Sequence, residues 1–159
     1  MKKSPLPVSL FVSLFAVSAM TIAAETSVGA SSRHRANVEF LNSGRFSDLP
    51  FSDAVRVGNL VYFSGELGDV GGNGKIVPGG IVAEARQTME NIKASVEANG
   101  YKMSDIVKCT VFLADISEWA AFNTVYKAYF SKPYPARSAF GANGLALGAR
   151  VEVECIAAK

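Results

Sequence analysis

The residues of this chain able to do chemistry are few and fall in a handful of places. In "PYPARSAFGA", Pro133 to Ala142, the entry to a strand in an apolar neighbourhood carries one cation, Arg137. In the C-terminal "RVEVECIAA", Glu152 and Glu154 alternate with Val151, Val153 and Cys155. An extended backbone there presents two carboxylates on one face and apolar groups on the other. Cys109 and Cys155 are the only thiols and His34 the only imidazole. With no CxxC pair and no cluster of His with Cys, a zinc site is not expected, nor any other metal or cofactor. The glycine-rich run "GDVGGNGKIVPGG" invites a phosphate-binding reading, but a phosphate cradle leads straight into a helix N-terminus. Here Lys75 to Pro78 intervene, and Asn73-Gly74 reads as a turn. On pattern alone Arg137 is a surface arginine, and the two glutamates face water.

The elements that must position these residues follow from periodicity. "AVRV" and "LVYFSGEL" flank Gly58-Asn59, a pair suited to a tight hairpin. From Ile81 to Asn99, Ala85, Met89, Ile92 and Val96 line one helical face, and Gly100 supplies the stop. "DIVKCTVFLAD" alternates as a strand with Val107, Cys109, Val111 and Leu113 on one side. Asp115 and Glu118 form a capping-box pattern opening a second helix, whose stripe of Trp119, Phe122, Val125, Tyr126 and Tyr129 reads as core packing. A strand "ARSAFGA", a glycine-broken loop "NGLALGA" and the last strand complete the order ββαβαββ. That order predicts an α+β or mixed α/β layer with both helices on one sheet face, leaving the other face in need of a partner. Both cysteines fall in apolar strands on the helix side, where small buried thiols are the simpler reading and a disulfide the alternative.

The chain of 159 residues, 49% apolar, suits one core. Its start differs in kind: Lys2 and Lys3 precede the uncharged run "SPLPVSLFVSLFAVSAMTIAA", the layout of a secretory signal peptide cut after Ala24 or, as second choice, after Ala30. An uncleaved anchor is the competing reading, disfavoured because the run is short and diluted by Ser, Thr and Pro. Removing residues 1–24 takes away two lysines and no acid, so a formal charge of +2 falls to zero. A neutral mature chain has no general electrostatic grip on nucleic acid or anionic lipid. Residues 25–48 read as a flexible lead-in holding the Arg33-His34-Arg35 cluster and one short strand near Val38 to Leu41, with the domain proper at 49–159.

Taken in order, "AVRVGNLVYFSGEL", "ARQTMENIKASVEANG", "VKCTVFLAD", "FNTVYKAYF", "YPARSAF" and "RVEVECIA" resemble the RidA/YjgF family of imine and enamine deaminases, whose older label is L-PSP endoribonuclease. The resemblance runs from about Leu49 to Lys159. It implies a chorismate-mutase-like fold assembled as a homotrimer, with the sheets forming a central barrel and ligand clefts between subunits. It also implies hydrolysis of reactive 2-imino or enamino acids to 2-keto acids and ammonia. The family's carboxylate-binding arginine falls on Arg137 and its water-orienting acid on Glu152. Ser64 and Gly65 fall at the ligand-side strand, and Asn123 on the asparagine of the second helix. Phe51 stands where many members have tyrosine, Ala139 where deaminase members commonly have cysteine, and Asp53 and Glu66 where glutamine is usual. Arg137 is thereby expected beside Glu152 on the sheet face the helices leave open. A non-catalytic trimer that binds small carboxylates or holds unfolded chains is the alternative, and export with a neutral mature charge argues against a ribonuclease. The expected partners are a small imino acid and two further copies, with no nucleic acid and no stable membrane association, and the expected location is the periplasm.

Overall fold

The computed structural model describes residues 36–44 and 48–159; the expected signal peptide and the Arg33-His34-Arg35 cluster lie outside them. The elements run β1 (Val38–Leu41), β2 (Ala54–Val57), β3 (Leu60–Leu67), α1 (Gly80–Ala98), β4 (Ile106–Leu113), α2 (Trp119–Tyr126), β5 (Ala136–Gly141) and β6 (Val151–Ala158). The strands form one six-stranded mixed sheet in the order β1-β2-β3-β6-β4-β5. Only β4 and β5 are parallel, joined by the crossover through α2 that such a pairing requires. The short strand expected in the lead-in is β1, paired with β2 from Val38↔Val57 to Leu41↔Ala54.

Both helices cover one face. The predicted α1 stripe of Ala85, Met89, Ile92 and Val96 is wholly buried, against Val151, Val153, Cys155 and Ala157 of β6. Gly100, at φ 80, ends α1: its N–H donates to the Glu97 carbonyl and that of Tyr101 to the Val96 carbonyl, both at 3.0 Å. The hairpin turn is Gly58-Asn59, with Gly58 at φ 59. On the opposite face Phe40, Leu60, Tyr62 and Phe140 are exposed, Phe40 to 68%. That is the uncovered sheet face the element order predicts.

Three local expectations are corrected. The β4 register against β6 shifts between Ile106 and Lys108, and this extra residue turns Val107 outward while Ile106 enters the core. Glu118 does not close a capping box: Asp115 alone caps, accepting from the Ser117 N–H at 2.9 Å, while Glu118 receives the Arg150 guanidinium. Cys109 and Cys155 are not separate thiols but a disulfide, because β4 and β6 are neighbours and the two residues stand directly opposite in register. The parity that puts both on the helix side also points them at each other.

Candidate active site

Glu152 sits on the open face of β6, between Leu67 of β3 and Phe112 of β4. Its carboxylate lies over the backbone of Gly65, so close that a Cβ built there would stand 2.1 Å from Oε1. Gly65 belongs to a bulge, since the β3–β6 register breaks between Phe63 and Glu66. The bulge and the missing side chain together make the seat for the carboxylate. Burial raises the Glu152 pKa, and the like charge of Glu154 on the same face raises it further. A carboxylate so held is a stronger proton acceptor than an ordinary glutamate.

A cavity of about 630 Å³ opens above this seat, lined by Gly65, Glu152, Phe51, Leu49 and Leu147 among others. Its walls are fixed from behind. The Asn91 side chain of α1 donates to the carbonyls of Leu67 and Asp69, both at 2.8 Å, pinning the chain as it leaves β3. The Arg150 N–H donates to Glu84 at 2.7 Å, fixing the entry to β6. Glu84 itself is pushed up by burial, against the lowering effect of that hydrogen bond and of the Arg150 charge. Ser64 donates its hydroxyl to the Ser52 carbonyl at 2.7 Å, tying β3 to the segment that carries Phe51. Asp53 is engaged in the β1–β2 connection, accepting from the Ser43 N–H at 2.6 Å. The glycine-rich run is a turn, with Asp69 bridged to Ile76 and the Asn73 side chain accepting from the Lys75 N–H at 2.9 Å. It also supplies Gly72, Asn73 and Gly74 to the cavity wall, which its sequence did not announce.

Arg137 is elsewhere. It lies on edge strand β5 in register with Cys109, which makes it a helix-side residue. Its guanidinium carbon stands 4.6 Å from the centroid of the Tyr126 ring, 5.8 Å from that of Trp119 and 5.9 Å from that of Phe122. The α2 stripe read as core packing is thus in part a cage for this cation. Tyr126 is buried, its hydroxyl has no hydrogen-bond partner among the described residues, and burial pushes its pKa to about 12 against the lowering effect of Arg137. Arg137 and Asn123 line a second cavity of about 450 Å³ with Tyr134 and Lys127. Ala139, two residues on, packs its methyl against the core.

Within one chain, then, Glu152, Gly65 and Phe51 come together, with Ser64 next to them, and Arg137 and Asn123 come together. The two groups do not meet. The expectation of Arg137 beside Glu152 on the open face is corrected, because the pleat and the β4–β5 register turn Arg137 toward α2. Leu147 and Leu49 are site residues that the sequence does not announce, since isolated apolar side chains carry no signal of what they line, while Tyr126 belongs to the stripe that the sequence reads as core packing.

A family profile described as Endoribonuclease L-PSP matches residues 45–159. Among solved structures, the YjgF gene product from E. coli superposes with a TM-score of 0.64 at 37% identity, covering 69% of this chain and 88% of that one. The chain belongs to the RidA/YjgF family. Other RidA/YjgF relatives include the 2-iminobutanoate/2-iminopropanoate deaminases of Capra hircus, 46% identical over 68% of this chain and 79% of that protein, and of Dermatophagoides farinae, 47% identical over 67% and 84%. E. coli TdcF with bound serine superposes with a TM-score of 0.65 at 35% identity over 70% and 89% of the two chains. The mixed six-stranded sheet with two helices on one face is the RidA/YjgF fold.

Proposed function

We propose that this chain hydrolyses reactive 2-imino and enamino acids to 2-keto acids and ammonia, in sites assembled from two copies. The observation that carries the reading is the Glu152 carboxylate, desolvated and seated on Gly65 at the floor of an open cavity. The deaminase names of relatives at 46% and 47% identity support it. Arg137 anchors the substrate carboxylate through two parallel hydrogen bonds, which also orient the imine carbon. Glu152 takes a proton from water as the new C–O bond forms and the imine nitrogen takes up a proton, giving a tetrahedral amino alcohol. The protonated Glu152 then returns its proton to the amine, and as the C–N bond breaks the hydroxyl oxygen gives up its own proton to solvent, offsetting the one the imine nitrogen took up, so that ammonia and the keto acid are released. Ser64 and Asn123 flank the two halves, and Phe51 walls the Glu152 half.

Because Arg137 and Glu152 occupy different cavities on opposite faces of one sheet, the complete site takes its arginine from one subunit and its glutamate from the next. The exposed apolar face bearing Phe40, Tyr62 and Phe140 suits burial between copies, in keeping with a homotrimer. The leader at residues 1–24 supports export, which would have the reaction run in the periplasm. Complementation tests the assembly. Arg137→Ala and Glu152→Gln are each expected to be inactive alone. Randomly mixed trimers of the two recover about a quarter of wild-type activity, because each site draws its two residues from independent chains. Imines are made in situ by an amino acid oxidase, and no acceleration by the wild-type protein across several side chains would overturn the deaminase reading. No recovery on mixing would overturn the shared site. A non-catalytic carboxylate-binding trimer is the second reading, favoured by one observation: the Arg137 cavity is cationic, and among the described residues no carboxylate lines it. Wild-type inactivity with ligand binding lost only in Arg137→Ala would select it.

A further inference from the structure

Leu147 lies in the glycine-broken loop between β5 and β6, at φ 60 and ψ 14. That is the left-handed region, which penalises an apolar side chain with a Cβ and which this chain otherwise gives to glycine among its described residues. The side chain so held is not buried in compensation: it is 60% exposed and lines the cavity above Glu152. Its Cδ1 stands 3.8 Å from where a Cβ on Gly74 would be, so the loops carrying Leu147 and Gly74 meet at van der Waals distance across the cavity. Leu49 and Phe51, each 48% exposed, line the same cavity from a third segment. Unfavourable backbone and exposed apolar surface coinciding over a carboxylate point to a role in function.

We propose that Leu147 sets the side-chain specificity of this site, and that with Leu49 and Phe51 it selects 2-imino acids bearing a branched aliphatic or aromatic side chain. The inference rests on the deaminase reading above and deepens it. The substrates named for the relatives carry a methyl or an ethyl group at this position, whereas here three large apolar side chains converge on a cavity of about 630 Å³. With the substrate carboxylate on Arg137 and the imine carbon over Glu152, the remaining substituent faces this apolar wall. Contact with it is the discriminating interaction.

The test compares kcat/KM for imines made in situ by an L-amino acid oxidase from leucine, phenylalanine and alanine. Wild type is expected to favour the leucine and phenylalanine products. Leu147→Gly and Leu147→Asn, two residues at ease in the left-handed region, are each expected to lower that preference by about tenfold with no loss of thermal stability. A preference that stays within about twofold of wild type in both variants overturns the proposal, as does a wild type that accelerates all three imines alike. Activity on no imine at all overturns the deaminase reading instead and removes this proposal with it.

Discussion

Gly65→Ala places one methyl group where the structure gives it no room. Its Cβ would stand 2.1 Å from Glu152 Oε1, 2.9 Å from Cδ and 3.1 Å from Cγ. Non-bonded heavy atoms settle at about 3.5–4.0 Å, so the carboxylate must retreat by more than about 1 Å. Displacements of that size cost about 100-fold in rate, or about 2.7 kcal/mol of transition-state stabilisation. Stability should barely change. Gly65 is not among the residues at positive φ, so alanine fits the backbone, and the obstructing group is the end of a flexible side chain. The smaller entropy of the unfolded chain returns about 0.4–1 kcal/mol. Gly68→Ala is the contrasting control. Its Cβ would meet the backbone of Glu84 in α1, with Cα and the carbonyl oxygen both at 2.9 Å, and backbone cannot swing away. That variant is expected to lose about 1–3 kcal/mol of stability. The assay pairs imine turnover, substrate made in situ, with urea unfolding of each variant. If Gly65→Ala kept wild-type turnover, the seat on Gly65 would not be where Glu152 works. If it unfolded as readily as Gly68→Ala, the distinction between yielding and unyielding neighbours would fail.

Glu154→Gln removes the like charge that helps raise the Glu152 pKa, so the acid limb of the kcat/KM profile should move to lower pH while staying above the ordinary glutamate value of 4.5, because burial is the larger cause. An unmoved limb would mean another group sets it. Since a raised acid pKa means that the fold disfavours the charged form, Glu152→Gln should be no less stable than wild type at pH 7 while losing turnover, and equilibrium unfolding at pH 7 and pH 5 checks the sign. Trp119→Ala opens one side of the cage around Arg137 at an exposed position, and a cation–π contact of about 0.5–1 kcal/mol implies a KM about two- to fivefold higher, with Trp119→Phe restoring most of it. The Cys109–Cys155 bond closes a loop of 46 residues, for which chain entropy gives about 4 kcal/mol. Guanidinium unfolding with and without reductant should show a loss of that order, and coincident curves would refute it.

What could be read from the sequence was whatever depends on neighbours along the chain. The α1 stripe ending at Gly100, the Gly58-Asn59 hairpin and the alternation of Val151, Val153 and Cys155 with Glu152 and Glu154 are local patterns with one geometric outcome each. The row through Val107 failed because a bulge costs one residue of register and leaves no local signature. The thiol reading failed because pairing depends on which strands are neighbours, and β4 lies against β6 only through the crossover topology.

The site divides in the same way. The resemblance to the RidA/YjgF motifs named Arg137, Glu152, Gly65 and Phe51, whereas pattern alone left Arg137 a surface arginine and the glutamates facing water. The face of Glu152 followed from its alternation with the valines, but where Arg137 faces was a matter for the tertiary structure alone. The pleat alternates sides with every residue, so the β4–β5 register sent Arg137 into the aromatic rings of α2 while Glu152 stayed on the open face over Gly65. Leu147 marks the limit most plainly: an ordinary leucine in a loop by sequence, it becomes a wall of the cavity only because the folded backbone holds it at φ 60 above the carboxylate.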